Sequence, residues 1–284
     1  MNKAVTVKQI KDLRNKITDQ TFNPITLAVA NVKGGISKTT TATLINGLLK
    51  KAFPESNSTL LDFDYRSHST FICETRNQNQ TDKKNQLNSK NYFAVLDSLI
   101  RNNGLSAEEQ ENLVAMPEEE KIETFFEILD EDYPIKVCDL SANDTIHMRT
   151  SMVYSNVIIV PTSSSILDLM STVETLQTIK ELFNADTGIN PDDYIVKILP
   201  AKVKAVTRSV KDKKIQVIKD YIAKEMPEFS DEKYFMDCCI TDRVAYQKFL
   251  EQGKLAFETY DPVARIECDS LLQELKKIIV EHNK

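Results

Sequence analysis

One short stretch concentrates the chemistry of this chain: Lys33, Gly34, Gly35, Ile36, Ser37, Lys38, Thr39 and Thr40 follow one another without a break. The apolar run Ile25 to Ala30 feeds into it, and a helical pattern from Lys38 to Ala52 leaves it. A strand, a glycine turn and a helix start in that order form a phosphate-binding loop. Successive backbone N–H groups converge at the helix N-terminus, where the helix dipole adds positive potential. Lys38 would then meet the β- and γ-phosphates of a nucleotide, and the Thr39 hydroxyl would ligate Mg²⁺. A glycine turn before an ordinary helix is the plainer reading, but it leaves the order of lysines, glycines and hydroxyls unexplained.

Aspartates stand at two more strand ends. Asp62 and Asp64 close the run that begins at Thr59, and Asp139 follows Val137 and Cys138. Taken alone, each would be a solvated turn or a helix cap. Downstream of a phosphate loop they become candidates for the same site.

The elements that must position these residues are legible as alternating strand and helix patterns. Apolar runs at Ile25 to Ala30, Thr59 to Phe63, Ile135 to Asp139, Asn156 to Val160 and Tyr194 to Leu199 predict parallel strands covered on both faces. Helical periodicity fills Lys38 to Ala52, Ser165 to Phe183, Lys211 to Lys224 and Val263 to Glu281. The expected fold is α/β: a doubly wound, mostly parallel sheet with helices on both faces. Residues 25–284 read as a single domain. Within it, the polar stretch 77–91 reads as a loop, and 92–131 as a helical rim opening with the cap-like Ser106 and Glu109. Residues 1–24 read as one amphipathic N-terminal helix, with Val7, Ile10, Leu13 and Ile17 on its apolar stripe and no room for a separate DNA-reading domain.

Composition narrows the class. With 284 residues, 41% apolar, the chain can bury a core without disulfide staples. Its five cysteines form no CxxC pair, so they read as reduced thiols of a cytoplasmic protein. The longest apolar run, Asn156 to Pro161, is far short of a membrane span. The net charge of −6 excludes a generally basic nucleic-acid sleeve but leaves room for a local basic patch.

The segment from Lys33 to Thr39 resembles the deviant Walker A box, K-G-G-x-x-K-[ST], of the ParA/MinD ATPases, a group of P-loop NTPases. The resemblance runs over about residues 25–280 and implies ATP and Mg²⁺ as cofactors. It implies a catalytic set of Lys33, Lys38 and Asp64, with Lys33 crossing an ATP-sandwich homodimer to touch phosphate on the other subunit. Asp62, Phe63, Asp64, Tyr65 and Arg66 resemble the family's D-x-D-P-Q-G segment, so Asp64 would orient the attacking water and Asp62 would support the metal shell. Asp139 takes the Walker B position and would hold Mg²⁺ through water, beside Thr39. The chain departs from the pattern at three places. Ser37 replaces a glycine, Tyr65-Arg66 replaces Pro-Gln, and Leu140-Ser141-Ala142 lacks the usual Pro-Pro.

The motif does not choose the cargo. Lys202, Lys204, Arg208, Lys211, Lys213, Lys214 and Lys219 crowd one stretch against Asp212 and Asp220, which suits tracking of DNA phosphates without base reading. The expected function is therefore a small plasmid-partition ParA protein. It would bind non-specific DNA as an ATP dimer and release it on hydrolysis, with a ParB-like centromere-binding partner accelerating that step. Two alternatives stand beside it: a MinD-like positioning ATPase on a membrane or protein scaffold, and a nucleotide-gated regulator with little hydrolysis. A membrane partner is disfavoured because the last helix has a charge-balanced polar face and an apolar stripe suited to docking on the sheet.

Overall fold

The computed structural model describes residues 24–282 except 55–56, 81, 102–105, 131, 184–193, 205–206 and 248–249. The N-terminal amphipathic helix expected over residues 1–24 lies outside the described residues, apart from Pro24.

Among the described residues six strands form one sheet: β1 (Ile25–Val29), β2 (Ser58–Asp62), β3 (Asn88–Asn91), β4 (Ile135–Asp139), β5 (Val157–Thr162) and β6 (Ile195–Pro200). Their order is β3-β2-β4-β1-β5-β6, and every pairing is parallel. β1, β2, β4 and β5 are buried at every position, which accounts for their largely apolar interiors, although β2 and β4 also bury Ser58, Asp62, Lys136 and Asp139. Register is what matters for the site. Asp139 pairs with Val29 on one side and with Asp62 on the other. Two carboxylates and the end of β1 therefore meet at the carboxyl edge of the central strands, where open α/β sheets bind ligands.

Helices cover both faces. On one face α1 (Lys38–Ala52) packs with the short helix α9 (Val244–Gln247) and the C-terminal helix α10 (Pro262–His282), through Ile45 and Leu48 of the first, Tyr246 of the second and Leu271, Leu275 and Ile278 of the third. The apolar stripe of α10 is thus spent on the core. On the other face lie α5 (Glu118–Asp130), α6 (Ile146–Val153), α7 (Ile166–Leu182) and α8 (Arg208–Glu225), which contribute Phe125, Met152, Leu176 and Ile218. Residues 92–130 hold α3 (Tyr92–Arg101), α4 (Ala107–Ala115) and α5, and Ser106 and Glu109 close a reciprocal capping box at the start of α4. Among the described residues, no helix is long and apolar enough to cross a membrane. All five cysteines are free and buried.

The stretch 77–91 departs from the loop expected there. α2 (His68–Asn79) runs into it, a 3-10 turn follows at Lys83–Asn85, and the edge strand β3 ends it. Side-chain amides, in place of apolar periodicity, hold this segment. Asn77 Nδ2 donates to the Leu87 carbonyl and its Oδ1 accepts from the Leu87 N–H, both at 2.9 Å, and Asn88 Nδ2 reaches the Ser58 carbonyl at 3.1 Å. An edge strand has only one neighbour to satisfy, so a polar sequence can form it.

A buried ion pair fastens this region to the C-terminal third. The Arg76 guanidinium, only 3% exposed, grips Glu258 with two bonds of 2.6 and 2.7 Å and also donates to the carbonyls of Asn85 and Gly253. Gly253 has φ +72°, and a Cβ there would lie 2.5 Å from Arg76 Cα. Glycine is therefore required by conformation and by space at once.

Candidate nucleotide site

The loop between β1 and α1 is built for anions. Gly35 takes φ +76°, and Ser37, immediately before the helix, also sits in the left-handed region at φ +73°. The loop's floor is fixed from elsewhere in the fold. Asn31 accepts the Lys33 N–H at 3.0 Å and donates to the Pro161 carbonyl at 3.1 Å, while Val32 N–H reaches Thr175 Oγ1 at 3.1 Å. Asn143 N–H bonds the Val32 carbonyl at 2.7 Å, and Ala142 lies under Gly34, 3.8 Å from where a Cβ would stand. The segment lacking the usual Pro-Pro thus still buttresses the loop. Gly34 and Gly35 are exposed, Ile36 is buried, and Ser37, Thr39 and Thr40 are half-buried along the mouth.

Ser37 bears a cost that glycine would not. Its side chain makes no capping bond to the helix it precedes, and a left-handed non-glycine residue is strained. Ser37→Gly is expected to stabilise the fold by about 0.5–1 kcal/mol, read as a raised melting temperature. An unchanged or lower value would show that the loop holds this serine without strain.

Lys38 is buried, and its Nζ donates to the Lys33 carbonyl at 2.6 Å, across the loop. Burial lowers its pKa, and the nearby carboxylates of Asp139 and Asp64 oppose that shift. Asp139 is driven the other way: burial, followed by the charge of Asp62, pushes its carboxyl up to about 7, although the Thr39 and Ser69 hydroxyls and Lys38 counter this. Its Oδ1 is buried with no hydrogen-bond partner, as is the Thr70 hydroxyl. Asp62 is fully buried and accepts the Asp64 N–H at 3.0 Å and the Thr70 N–H at 2.9 Å. Asp64 is half-buried at the mouth, its Oδ1 accepting the Arg66 N–H at 2.9 Å.

A buried carboxylate oxygen without a partner, next to a second carboxylate and the Thr39 hydroxyl, fits a hard divalent cation. Among the described residues no group of three or more His, Cys, Asp or Glu side chains could cage a metal by itself. Mg²⁺ usually keeps several waters and takes one or two carboxylates together with phosphate oxygens as ligands. Thr39, Asp62 and Asp139 are the residues that could hold it.

Lys33 is placed differently from Lys38. Its Nζ forms an ion pair with Asp168 in the first turn of α7, and Asp168 also accepts the Ser163 hydroxyl at 2.5 Å. The second lysine is therefore held on the rim, outside its own loop. Asp168, Ser163 and Asn31 are site residues that sequence reasoning did not single out. The only signal was an acid in the opening turn of a helix after three serines, which reads as ordinary capping.

The seven basic residues do not form one face. Lys202 has φ +54° and its Nζ bonds the Gly35 carbonyl at 3.1 Å, so it belongs to the nucleotide site. Lys219 pairs with Glu232 at 2.5 Å and lies 5.4 Å from the Phe235 ring centre. Lys211 and Lys214 are half-buried, whereas Lys204, Arg208 and Lys213 are exposed.

Comparison with known proteins follows the same lines. A family model described as an AAA domain matches residues 25–192. No curated protein matches the sequence significantly. Among solved structures, apo McdA from Cyanothece is similar with a TM-score of 0.62 at 16% identity, over 88% of this chain and 99% of that one. The MinD cell division protein of Aquifex aeolicus gives 0.59 at 15% identity, over 89% and 97%. A putative plasmid partition protein from Borrelia burgdorferi bound to AMPPNP gives 0.58 at 16% identity, over 90% and 100%. At these identities the likeness is one of fold, and it extends over nearly the whole chain.

Proposed function

The chain belongs to the AAA-domain family and has the fold of McdA, MinD and plasmid partition proteins, and on that footing we propose that it is a ParA-type ATPase that partitions DNA. The observation that carries the nucleotide reading is the buried Lys38 inside a left-handed glycine loop, facing Asp139 with its unpartnered oxygen. In this reading the loop N–H groups and Lys38 bind the triphosphate, and Thr39, Asp62 and Asp139 hold Mg²⁺. When bound, the cation supplies charge neutralisation on the phosphate oxygens. Asp64, at the mouth and 2.9 Å from the Arg66 N–H, orients the attacking water. Lys33 acts in trans in a face-to-face homodimer: it must leave Asp168 to reach the partner's nucleotide, so charge arrives at the transferring phosphate only on assembly.

DNA is the proposed cargo, through the exposed Lys204, Arg208 and Lys213 with Lys211 and Lys214 beside them. Contacts of this kind go to phosphates and are salt-sensitive. A ParB-like protein would speed hydrolysis and so release the DNA. The test is retention on non-specific duplex DNA with ADP, ATP or a slowly hydrolysed analogue across a salt series. Retention is expected only with the triphosphates, and loss of it with Lys33→Ala. In Arg208→Glu/Lys213→Glu it is expected to fall by about tenfold or more at moderate salt. Retention indifferent to nucleotide and to these substitutions would overturn the DNA reading.

A second reading, a MinD-like positioning ATPase on a protein scaffold, has one observation in its favour. Ile166, Leu167 and Met170, each more than half exposed, crowd the opening turns of α7 next to Lys33. Absence of DNA retention in every nucleotide state would move the reading there.

A further inference from the structure

The geometry points to Asn91 as a positioning residue for ATP hydrolysis. It would set the Asp64 carboxylate by clamping the backbone on either side of Phe63. This inference rests on the reading above, in which Asp64 orients the attacking water.

Asn91 is the last residue of the edge strand β3 and lies in register beside Asp62. It is buried, and its amide nitrogen donates to two carbonyls at once, Asp62 at 3.2 Å and Asp64 at 3.1 Å. Its amide oxygen is occupied elsewhere, accepting the Ala94 N–H at 3.0 Å at the start of α3. One side chain thus ties the catalytic turn to a helix end, with all its polar atoms engaged. The next two residues continue the grip. Tyr92 stacks on Phe63 with ring centres 5.4 Å apart, and Phe93 meets Tyr65 edge-on at 5.6 Å. Residues 91–93 therefore hold residues 62–65 almost one for one.

This grip also accounts for a departure noted in the sequence. A proline after Asp64 would stiffen the turn by fixing φ. Here Tyr65 stands in that place, and stiffness comes instead from Asn91 and from the ring contact of Tyr65 with Phe93. The clamp is in turn backed by α6, which follows Asp139 in the chain. His147 packs on the rings of Tyr92 and Phe93 at 5.4 and 5.2 Å. Glu118 accepts from Tyr92 Oη at 2.7 Å and bonds His147 Nε2 at 2.9 Å. The segments after β2 and after β4 are thus joined through one side-chain cluster. A displacement of about 1 Å at a reacting group can cost on the order of a hundredfold in rate.

Asn91→Asp tests the clamp: it keeps the acceptor for Ala94 N–H and replaces the donating nitrogen with an oxygen that repels both carbonyls. ATP turnover is expected to fall about ten- to a hundredfold, with nucleotide affinity within about twofold of wild type, because the phosphate loop is untouched. The deciding measurement is a double-mutant cycle with Asp64→Ala. If Asn91 works through Asp64, adding Asn91→Asp to Asp64→Ala gives no further loss. Multiplicative losses, or wild-type turnover in Asn91→Asp, would overturn the inference. Asn91→Ser, which can still cap Ala94 but is too short to span both carbonyls, gives the same readout should Asn91→Asp not fold. If wild-type protein hydrolyses no ATP, or Asp64→Ala hydrolyses it at the wild-type rate, the reading of Asp64 itself fails, and the cycle separates the two failures.

Discussion

Lys38→Ala is expected to reduce ATP turnover by about a thousandfold and to weaken nucleotide binding at least about tenfold. Two losses combine. The ammonium meets the terminal phosphates in this class of loop, and here it also spans the loop by donating to the Lys33 carbonyl at 2.6 Å. Alanine removes both the phosphate charge and the internal strut. It also strips Asp139 of its nearby cation, so a carboxyl already raised by burial and by Asp62 moves further from the ionised form a metal ligand needs. Lys38→Arg is expected to recover little, because a fork-shaped guanidinium does not fit a point-charge site enclosed by backbone. Phosphate release and a fluorescent-nucleotide titration read the two effects separately. Turnover within tenfold of wild type would mean that the buried lysine has a structural role and that the nucleotide reading of the loop is wrong.

The largest effect on stability is expected at Glu258. Glu258→Ala would leave the Arg76 guanidinium, 3% exposed, without its carboxylate, and removing one partner of a buried pair costs about 3–5 kcal/mol. The carbonyls of Asn85 and Gly253 still accept from Arg76 and limit its isolation. The pair carries a pH signature. Burial raises the Glu258 carboxyl, but the Arg76 bonds, the Leu255 N–H and the charge of Arg76 outweigh it and hold the group below its ordinary range. A lowered folded-state pKa contributes stability that is present above the unfolded value, about 4.3, and that is lost as pH falls through the lower folded value. Wild-type and Glu258→Ala melting temperatures should therefore differ most near neutral pH and converge in acid. A gap that persists unchanged below pH 3 would assign the cost to packing and not to the ion pair.

Much of the sheet was legible because its strands are covered on both faces: Ile25 to Val29 and Val157 to Thr162 are buried at each position, and strands buried on both faces read as mostly apolar runs. Helix α1 was legible from both ends, by the lysine after the glycine turn and the break after Ala52. β3 was not, because Asn88 to Asn91 owes its conformation to side-chain amides reaching Ser58, Asp62 and Asp64, and periodicity records only burial. α6 escaped for a similar reason: it is short and mixes buried Met148 and Met152 with His147 and Arg149, without a clean stripe. At the site, residues 33–40 stand out in the sequence because they are contiguous, whereas Asp168, Ser163 and Asn91 are brought in by the fold and carry no such signal. The basic stretch shows the converse limit: of seven cations that are neighbours in sequence, Lys202 turns to the phosphate loop and Lys219 pairs with Glu232, while Arg208, Lys211, Lys213 and Lys214 stand on α8.

The two margins of the sheet have a consequence for how densely this protein can be packed. One margin is β3, four residues of asparagine, serine and lysine. At the other, β6 and the residue chain just past it meet single parallel bridges, Ile198 to Phe235 and Val203 to Thr241. Short, polar or already bridged margins are poor templates for a further strand. Copies brought to high local concentration would then meet through helices and loops, with no ready margin for strand addition.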